Sequence, residues 1–374
     1  MHNFTDFSKS LMVSWNDSTL RYTVVSDDSL KTDSKEMNSR LFNILNGICD
    51  MRDYCLTHGI TDMLMSGDLF HKRANIEVSV FNPAYKVLSS FRDLGINLHA
   101  ISGNHDDVDS SQIPMTSIHS FREIIHVIEK PEYFSIDGVE VVAVPYSKDK
   151  QFVLQSIEEL REKCSDPDRA ILLCHVGLTG GKVGSGMYVM SDEYSLGDLQ
   201  YDHWKYVICG HYHQPQILEY NTIYCGTPVQ NTFNDELPWD DGYNGFFVVD
   251  TDLRYDIEFV PIKAPRFITV SSAEELEYYD ADTLNSNYVR IKASADDVEE
   301  IKDTLEDILG DDSTQEVRLE LEKTYEKDAR SDIGVAMSFE DAVKTYAKER
   351  YEGNSEVAAN IGLSILSEAM VGGN

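Results

Sequence analysis

One arrangement in this chain restricts the fold more than any other: its aspartates, asparagine and histidines gather where apolar runs end. Asp27 follows YTVVS and Asp68 follows MLMSG; Asn104, His105 and Asp106 follow HAISG; His175 follows AILLC; His211 and His213 follow VICG. Short apolar runs bounded by turn residues read as buried strands. Helical stretches separate the early ones. Residues 36–58 carry Leu41, Ile44, Leu45, Ile48 and Met51 at helical spacing, and 81–95 ends in a glycine. Strand–helix alternation predicts a parallel sheet, whose functional site lies at the carboxyl ends of its strands. Five strand ends therefore bring oxygen and imidazole donors to one edge, and Gly67, Gly103 and Gly210 let the backbone turn sharply beside them.

Further runs at 139–146, 169–175, 206–213, 221–227 and 244–250, with a helix at 149–163, make the later sequence strand-rich. The expectation is an α/β domain built as a sheet sandwich. Between Pro261 and Pro265 the pattern changes to strand, strand, helix and strand, ending near EVRLELEK. Two amphipathic helices, FEDAVKTYAKERY and SEVAANIGLSILSEAM, close the chain. The organisation read from these shifts is an N-terminal extension over 1–20, a main domain over 21–262, a small domain over 263–325, and a linker with C-terminal helices over 326–374.

No thiolate joins the strand-end donors. Six cysteines form no CxxC pair, and several sit inside apolar runs as small hydrophobes, which fits a reducing compartment. Mixed carboxylate, amide and imidazole donors suit a divalent cation such as Mn²⁺, Fe²⁺ or Zn²⁺ better than a structural zinc. No apolar run approaches the ~18 residues of a membrane helix, and the polar start is unlike a signal peptide. The expectation is a soluble intracellular protein without a membrane partner. A net charge of −33 opposes long-range capture of nucleic acid by a broad basic face. It leaves room for phosphate held through cations, which invert the local field. Solubility, a salty cytoplasm and a basic partner subunit each account for the acidity. The glycines of LTGGKVGSGMY do not match a P-loop and read as an access loop. His2, His58, His99, His119, His126 and His203 have no motif context and read as structural.

The segments GDLFH (67–71), GNHD (103–106), CHVGL (174–178) and GHYH (210–213) resemble, in order and spacing, the motif set of calcineurin-like metallophosphoesterases. GNHD with GHxH is the specific part. His71 and the stretch YCGTPVQNTFNDE further resemble SbcD-type nuclease subunits, and the layout is similar to that of T-even-phage recombination endonuclease subunits. The resemblance implies an α/β, four-layer (α+β) metallophosphoesterase sandwich with a small ββαβ capping domain and a C-terminal helical tail. It implies two Mn²⁺, Mg²⁺ or other divalent cations. Asp68 would bridge them, Asp27 and His213 would hold the first, and Asn104, His175 and His211 the second. His105 would meet the phosphate or protonate the leaving alkoxide, Asp106 would orient His105, and His71 would position the DNA strand. An SbcC-type coiled-coil ATPase gripped by the tail, double-stranded DNA ends, a homodimer, a role in recombination and break repair, and a location in the bacterial cytoplasm or a phage-infected host cell are also implied.

One position departs. The family's first motif is Asp-x-His, and here it reads Asp27-Asp28-Ser29. A hydroxyl is a poor ligand for these cations. Three readings follow: a first site filled only at high cation concentration, a low-activity or scaffold variant, or an inactivating substitution introduced at Ser29. Besides the nuclease, a catalytically weak subunit regulating the ATPase and a small-substrate phosphodiesterase remain as alternatives.

Overall fold

Runs such as ILLCH and YVICG are apolar on both faces because both faces are covered. In the computed structural model they form the middle of a two-sheet sandwich. The structure describes residues 10–14, 39–71, 75–108, 115–183, 188–189, 194–237, 242, 244–252, 256–294, 297–309 and 317–321, with isolated positions between 344 and 363. The first sheet comprises β1 (Ser10–Ser14), β2 (Asp62–Met65), β3 (Asn97–Ile101) and β4 (His126–Ile128), with β11 (Gly245–Asp250) and β12 (Ile257–Pro261). Its order is β12-β11-β1-β2-β3-β4. The second contains β5 (Glu132–Ile136), β6 (Val139–Val144), β7 (Ile171–His175), β8 (Tyr206–Gly210), β9 (Gln216–Glu219) and β10 (Thr222–Tyr224), in the order β9-β10-β8-β7-β6-β5. The runs β1 to β4 and β6-β7-β8-β10 are parallel, with antiparallel strands at the edges.

Four layers result. Helices α1 (Ser39–His58) and α2 (Val78–Asp93) bury Leu41, Ile44, Ile48, Val87 and Phe91 against Met63, Met65 and Leu98 of the first sheet. Leu64, Ile101, Ala143, Leu173, Ile208 and Val249 fill the space between the sheets. On the outer face of the second sheet, α3 (Lys150–Arg161) packs Val153 and Ile157 near Leu172 and Val207. Asp149 caps α3 by accepting from Phe152 N–H (3.1 Å). Helix α2 stops where Gly95 takes φ +80°. This is the four-layer α/β sandwich expected.

One boundary is corrected. The stretch read as an N-terminal extension contributes β1, which pairs with β2 through Met12↔Met63 and with β11 through Met12↔Val248. The backbone of β1 takes the place between β2 and β11, continuing the parallel run on one side and pairing antiparallel on the other. The strand expected at 22–27 lies outside the described residues, as do Asp27 and Ser29.

Beyond the sandwich come β13 (Phe267–Val270), β14 (Tyr288–Ala293), α4 (Val298–Leu309) and β15 (Val317–Leu321), the expected ββαβ order, with two short helical turns between the first strands. β13 and β14 run parallel. A core of its own (Ile268, Val270, Leu284, Val289, Ile291, Ile301 and Leu305) supports this layer. The chain divides into two compact units, 1–293 with 297–320, and 294–296 with 321–374. The ββαβ layer is thus largely within the same unit as the sandwich. Among the described residues no helix is long and apolar enough to cross a membrane.

Candidate metal centre

The parallel strands of both sheets place their last residues along one edge. Asp68 lies three residues beyond β2, Asn104 three beyond β3, His175 ends β7, and His211 follows β8. Their side chains meet. The Asn104 Oδ1 lies 2.9 Å from His175 Nε2 and 3.1 Å from His211 Nδ1, and Asp68 Oδ2 lies 3.3 Å from His175 Nε2. His175 Nδ1 donates to the Ser66 carbonyl (2.7 Å), which fixes the proton on that nitrogen. In the neutral ring the Nε2 lone pair then faces two oxygens that also only accept. Such a convergence calls for a positive charge in its middle.

The pKa directions agree. Burial pulls His175 toward neutrality, but the charge and hydrogen bond of Asp68 outweigh it and raise its affinity for a proton. Burial pushes the Asp68 carboxyl up, yet His175 and the His105 N–H hold it below the usual carboxylate range. The spacing also fits. Two ligands about 2.1 Å from one cation and at right angles lie about 3.0 Å apart. Among the described residues, carboxylates, imidazoles and thiolates by themselves make no cage of three; the set closes only through the amide oxygen of Asn104.

The local backbone is built for this convergence. Asp68 and His211 have φ of +57° and +118°, a region that disfavours side chains and that sites tolerate when neighbours enforce it. Gly103 lets Asp68 and His175 close in: a Cβ there would meet Asp68 Oδ1 at 2.1 Å and His175 Cε1 at 2.6 Å. At Gly210 it would meet the Ser66 carbonyl at 2.1 Å.

His105 sits at the rim. Its N–H donates to Asp68 Oδ1 (2.7 Å), its Nδ1 meets the His71 carbonyl (3.1 Å), and its ring stacks on that of His71 with centroids 4.7 Å apart. Asp106 does not orient His105, which corrects the sequence expectation. Its Oδ2 accepts from the N–H groups of Asp68 (2.7 Å) and Gly103 (3.0 Å), and its Oδ1 from the Ser117 hydroxyl (2.8 Å). The tight turn aims this carboxylate inward, where it fastens the GDLFH loop to the GNHD loop. Burial and the charge of Asp68 hold its carboxyl up at about 7.

His213 belongs to the same edge, two residues beyond His211. Its Nδ1 lies 2.6 Å from Asp235 Oδ1. Asp235 is buried; desolvation raises its pKa, but His213 and two backbone donors bring it below the usual range. Asp235 lies in the stretch YCGTPVQNTFNDE, but nothing there marks it as a partner of His213. The available signal was Thr232 three residues before it, a capping-box spacing that the structure realises.

The chain matches the family model described as calcineurin-like phosphoesterase over residues 40–215. It is 26% identical over 220 residues to exonuclease subunit 1 of Enterobacteria phage T4, covering 58% of this chain and 60% of that protein. The chain thus aligns with less than two thirds of that relative's length. Among solved structures it is similar to a protein of unknown function from Aquifex aeolicus, 11% identical, covering 54% of this chain and 87% of that one. The TM-score there is 0.27.

Proposed function

With residues 40–215 forming a calcineurin-like phosphoesterase domain, we propose that the chain is the nuclease subunit of a DNA end-processing complex and cuts phosphodiester bonds at a two-cation centre. The observation that carries this reading is the meeting of Asn104 Oδ1 with His175 and His211 beside Asp68. In it Asn104, His175 and His211 would hold one cation, His213 with Asp27 the other, and Asp68 would serve both. Divalent cations so placed supply Lewis-acid activation of phosphate and of water. The chain's own residues do the rest. Asp106 locks the two ligand loops together. The His71 carbonyl fixes His105 by Nδ1, which directs Nε2 toward the phosphate side as the group that delivers a proton to the leaving oxygen. His71 stacks beneath it and presents its ring to the strand. The similarity to an exonuclease subunit supports a nucleic-acid substrate and a partner subunit; the proposal takes that partner to be an SbcC-type ATPase held by residues 326–374, the substrate to be DNA and the assembly to be a homodimer.

The deciding experiment supplies excess Mn²⁺ and offers linear duplex DNA and a cyclic nucleotide in parallel. Shortening of the duplex is expected; hydrolysis of the cyclic nucleotide alone would reject the nuclease reading. Ser29 favours a second reading, a weak subunit that regulates the ATPase. With the partner present, Ser29→His separates the two. A histidine form that alone cuts DNA makes the serine a lesion in a nuclease. Two silent forms make the chain a scaffold.

A further inference from the structure

The turn Phe233–Asp235 and the residue after it carry two carboxylates tied to different parts of the molecule. Asp235 serves the sandwich edge. Its Oδ2 accepts from the N–H groups of Asn231 (3.1 Å) and Thr232 (3.0 Å) and from the Thr232 hydroxyl (3.3 Å). Its Oδ1 accepts from His213 Nδ1 at 2.6 Å. Glu236 serves the ββαβ layer. Thr269 N–H donates to its Oε1 (2.7 Å), the Thr269 hydroxyl donates to Oε2, and the Arg290 guanidinium lies 3.8 Å from Oε2.

Such a short turn has no core to hold it. Its large apolar side chain, Phe233, clusters with Phe267 and Tyr288, both from the ββαβ layer. Phe233 meets Phe267 edge-on at 4.8 Å, and Arg290 lies 4.5 Å over its ring. Phe267 N–H also donates to Gln230 Oε1 (2.9 Å), before the turn. The turn that presents Asp235 to His213 is therefore seated on the appended layer. A carboxylate that accepts from one imidazole nitrogen fixes the tautomer and aims the other nitrogen outward, an arrangement that commonly stands behind a metal-bound histidine.

We propose that this turn couples the appended ββαβ layer to the first cation: Asp235 is a positioning residue for His213, and Glu236, held by Thr269 and Arg290, keeps Asp235 in place. This rests on the two-cation reading above. It adds that the first cation's affinity depends on how the appended layer is seated, although no residue of β13 or β14 is among the proposed ligands.

The test uses the full chain with ¹⁵N-labelled histidine, which reads the His213 tautomer, and a Mn²⁺ titration followed by electron paramagnetic resonance, which counts cations. The wild type is expected to hold His213 with the proton on Nδ1 and to bind two Mn²⁺. Asp235→Asn and Glu236→Gln should each mix the tautomers and weaken the first cation by about 10–100-fold, leaving the second unchanged. Adding Glu236→Gln to Asp235→Asn should produce little further loss, as expected for two residues acting through one contact. Thr269→Val, which removes one of the donors to Glu236, should give a smaller loss in the same direction; it guards against a folding defect. A wild-type His213 protonated on Nε2, or a Glu236→Gln chain with wild-type tautomer and cation affinity, overturns the coupling. So does a wild type that binds one cation unaffected by Asp235→Asn. A wild type that binds no cation instead rejects the two-cation reading on which the coupling depends.

Discussion

In the proposed centre, what stands behind a donor matters as much as the donor itself. His175 is turned by the Ser66 carbonyl and closed in by Gly103, whose missing side chain makes room for Asp68 and His175. Gly103→Ala would force both apart, and neither is a loose surface group. It is expected to abolish tight binding of the second Mn²⁺ and to slow phosphodiester cleavage by about 100-fold, the scale of an ångström-sized displacement. Cation titration and single-turnover rates check both. His105→Ala should behave differently, with about 10²–10⁴-fold slower cleavage at unchanged cation stoichiometry. Equal losses of cations and rate would show that His105 holds the site together instead. The convergence of Asp68, Asn104, His175 and His211 was legible because each donor type sits at the end of an apolar run. The contacts of Asp106 and Asp235 were not. Asp106 is next to His105 in sequence, but the turn sends its carboxylate to backbone amides. Asp235 reaches His213 across 22 residues through a contact no periodicity encodes.

At the level of elements, α1, α2 and α3 were legible because an amphipathic helix writes its buried stripe into the sequence. The first strand was not. SLMVS lies in a start that otherwise reads as polar, and the partners that make it a strand stand near residues 63 and 248, far along the chain. One corner of the second sheet yields a pH prediction. Glu140 on β6 accepts from the N–H groups of Ser165 (2.9 Å) and Asp166 (3.2 Å) and from the Tyr133 hydroxyl (2.6 Å), tying β6 to the segment before β7. The Ser165 N–H is the largest cause, followed by Tyr133, and together these donors lower its carboxyl from 4.5 to about 2. The folded chain therefore binds this proton less readily than the unfolded one. The stabilisation is present above about 4.5 and lost as pH falls toward 2. Urea melts of wild type and Glu140→Gln should differ at pH 6 and converge near pH 2; a constant gap would refute the assignment.

For the whole molecule, the acidity and the proposed substrate pull in opposite directions. On the proposed function, a chain of net charge −33 would have to approach a polyanion. Few Lys or Arg contacts to phosphate are expected from the chain alone, so its DNA affinity should vary weakly with monovalent salt and strongly with Mn²⁺. Adding a basic ATPase partner should steepen the salt dependence. Fluorescence anisotropy across a salt series measures this, and a steep slope for the isolated chain would contradict it. The position of β1 has a consequence of another kind, in the timing of synthesis. It is flanked by β2, made soon after it, and by β11, whose residues 245–250 are made much later. At roughly 5–20 residues per second, β1 waits on the order of 10–50 s for its second neighbour. Until then the nascent chain has an unpaired strand edge in what will become the middle of its sheet, a surface that chaperones bind and that aggregation exploits. Ribosome-bound chains stopped before residue 245 should therefore be protease-sensitive around residues 10–14, and chains stopped well beyond residue 261 should be protected there.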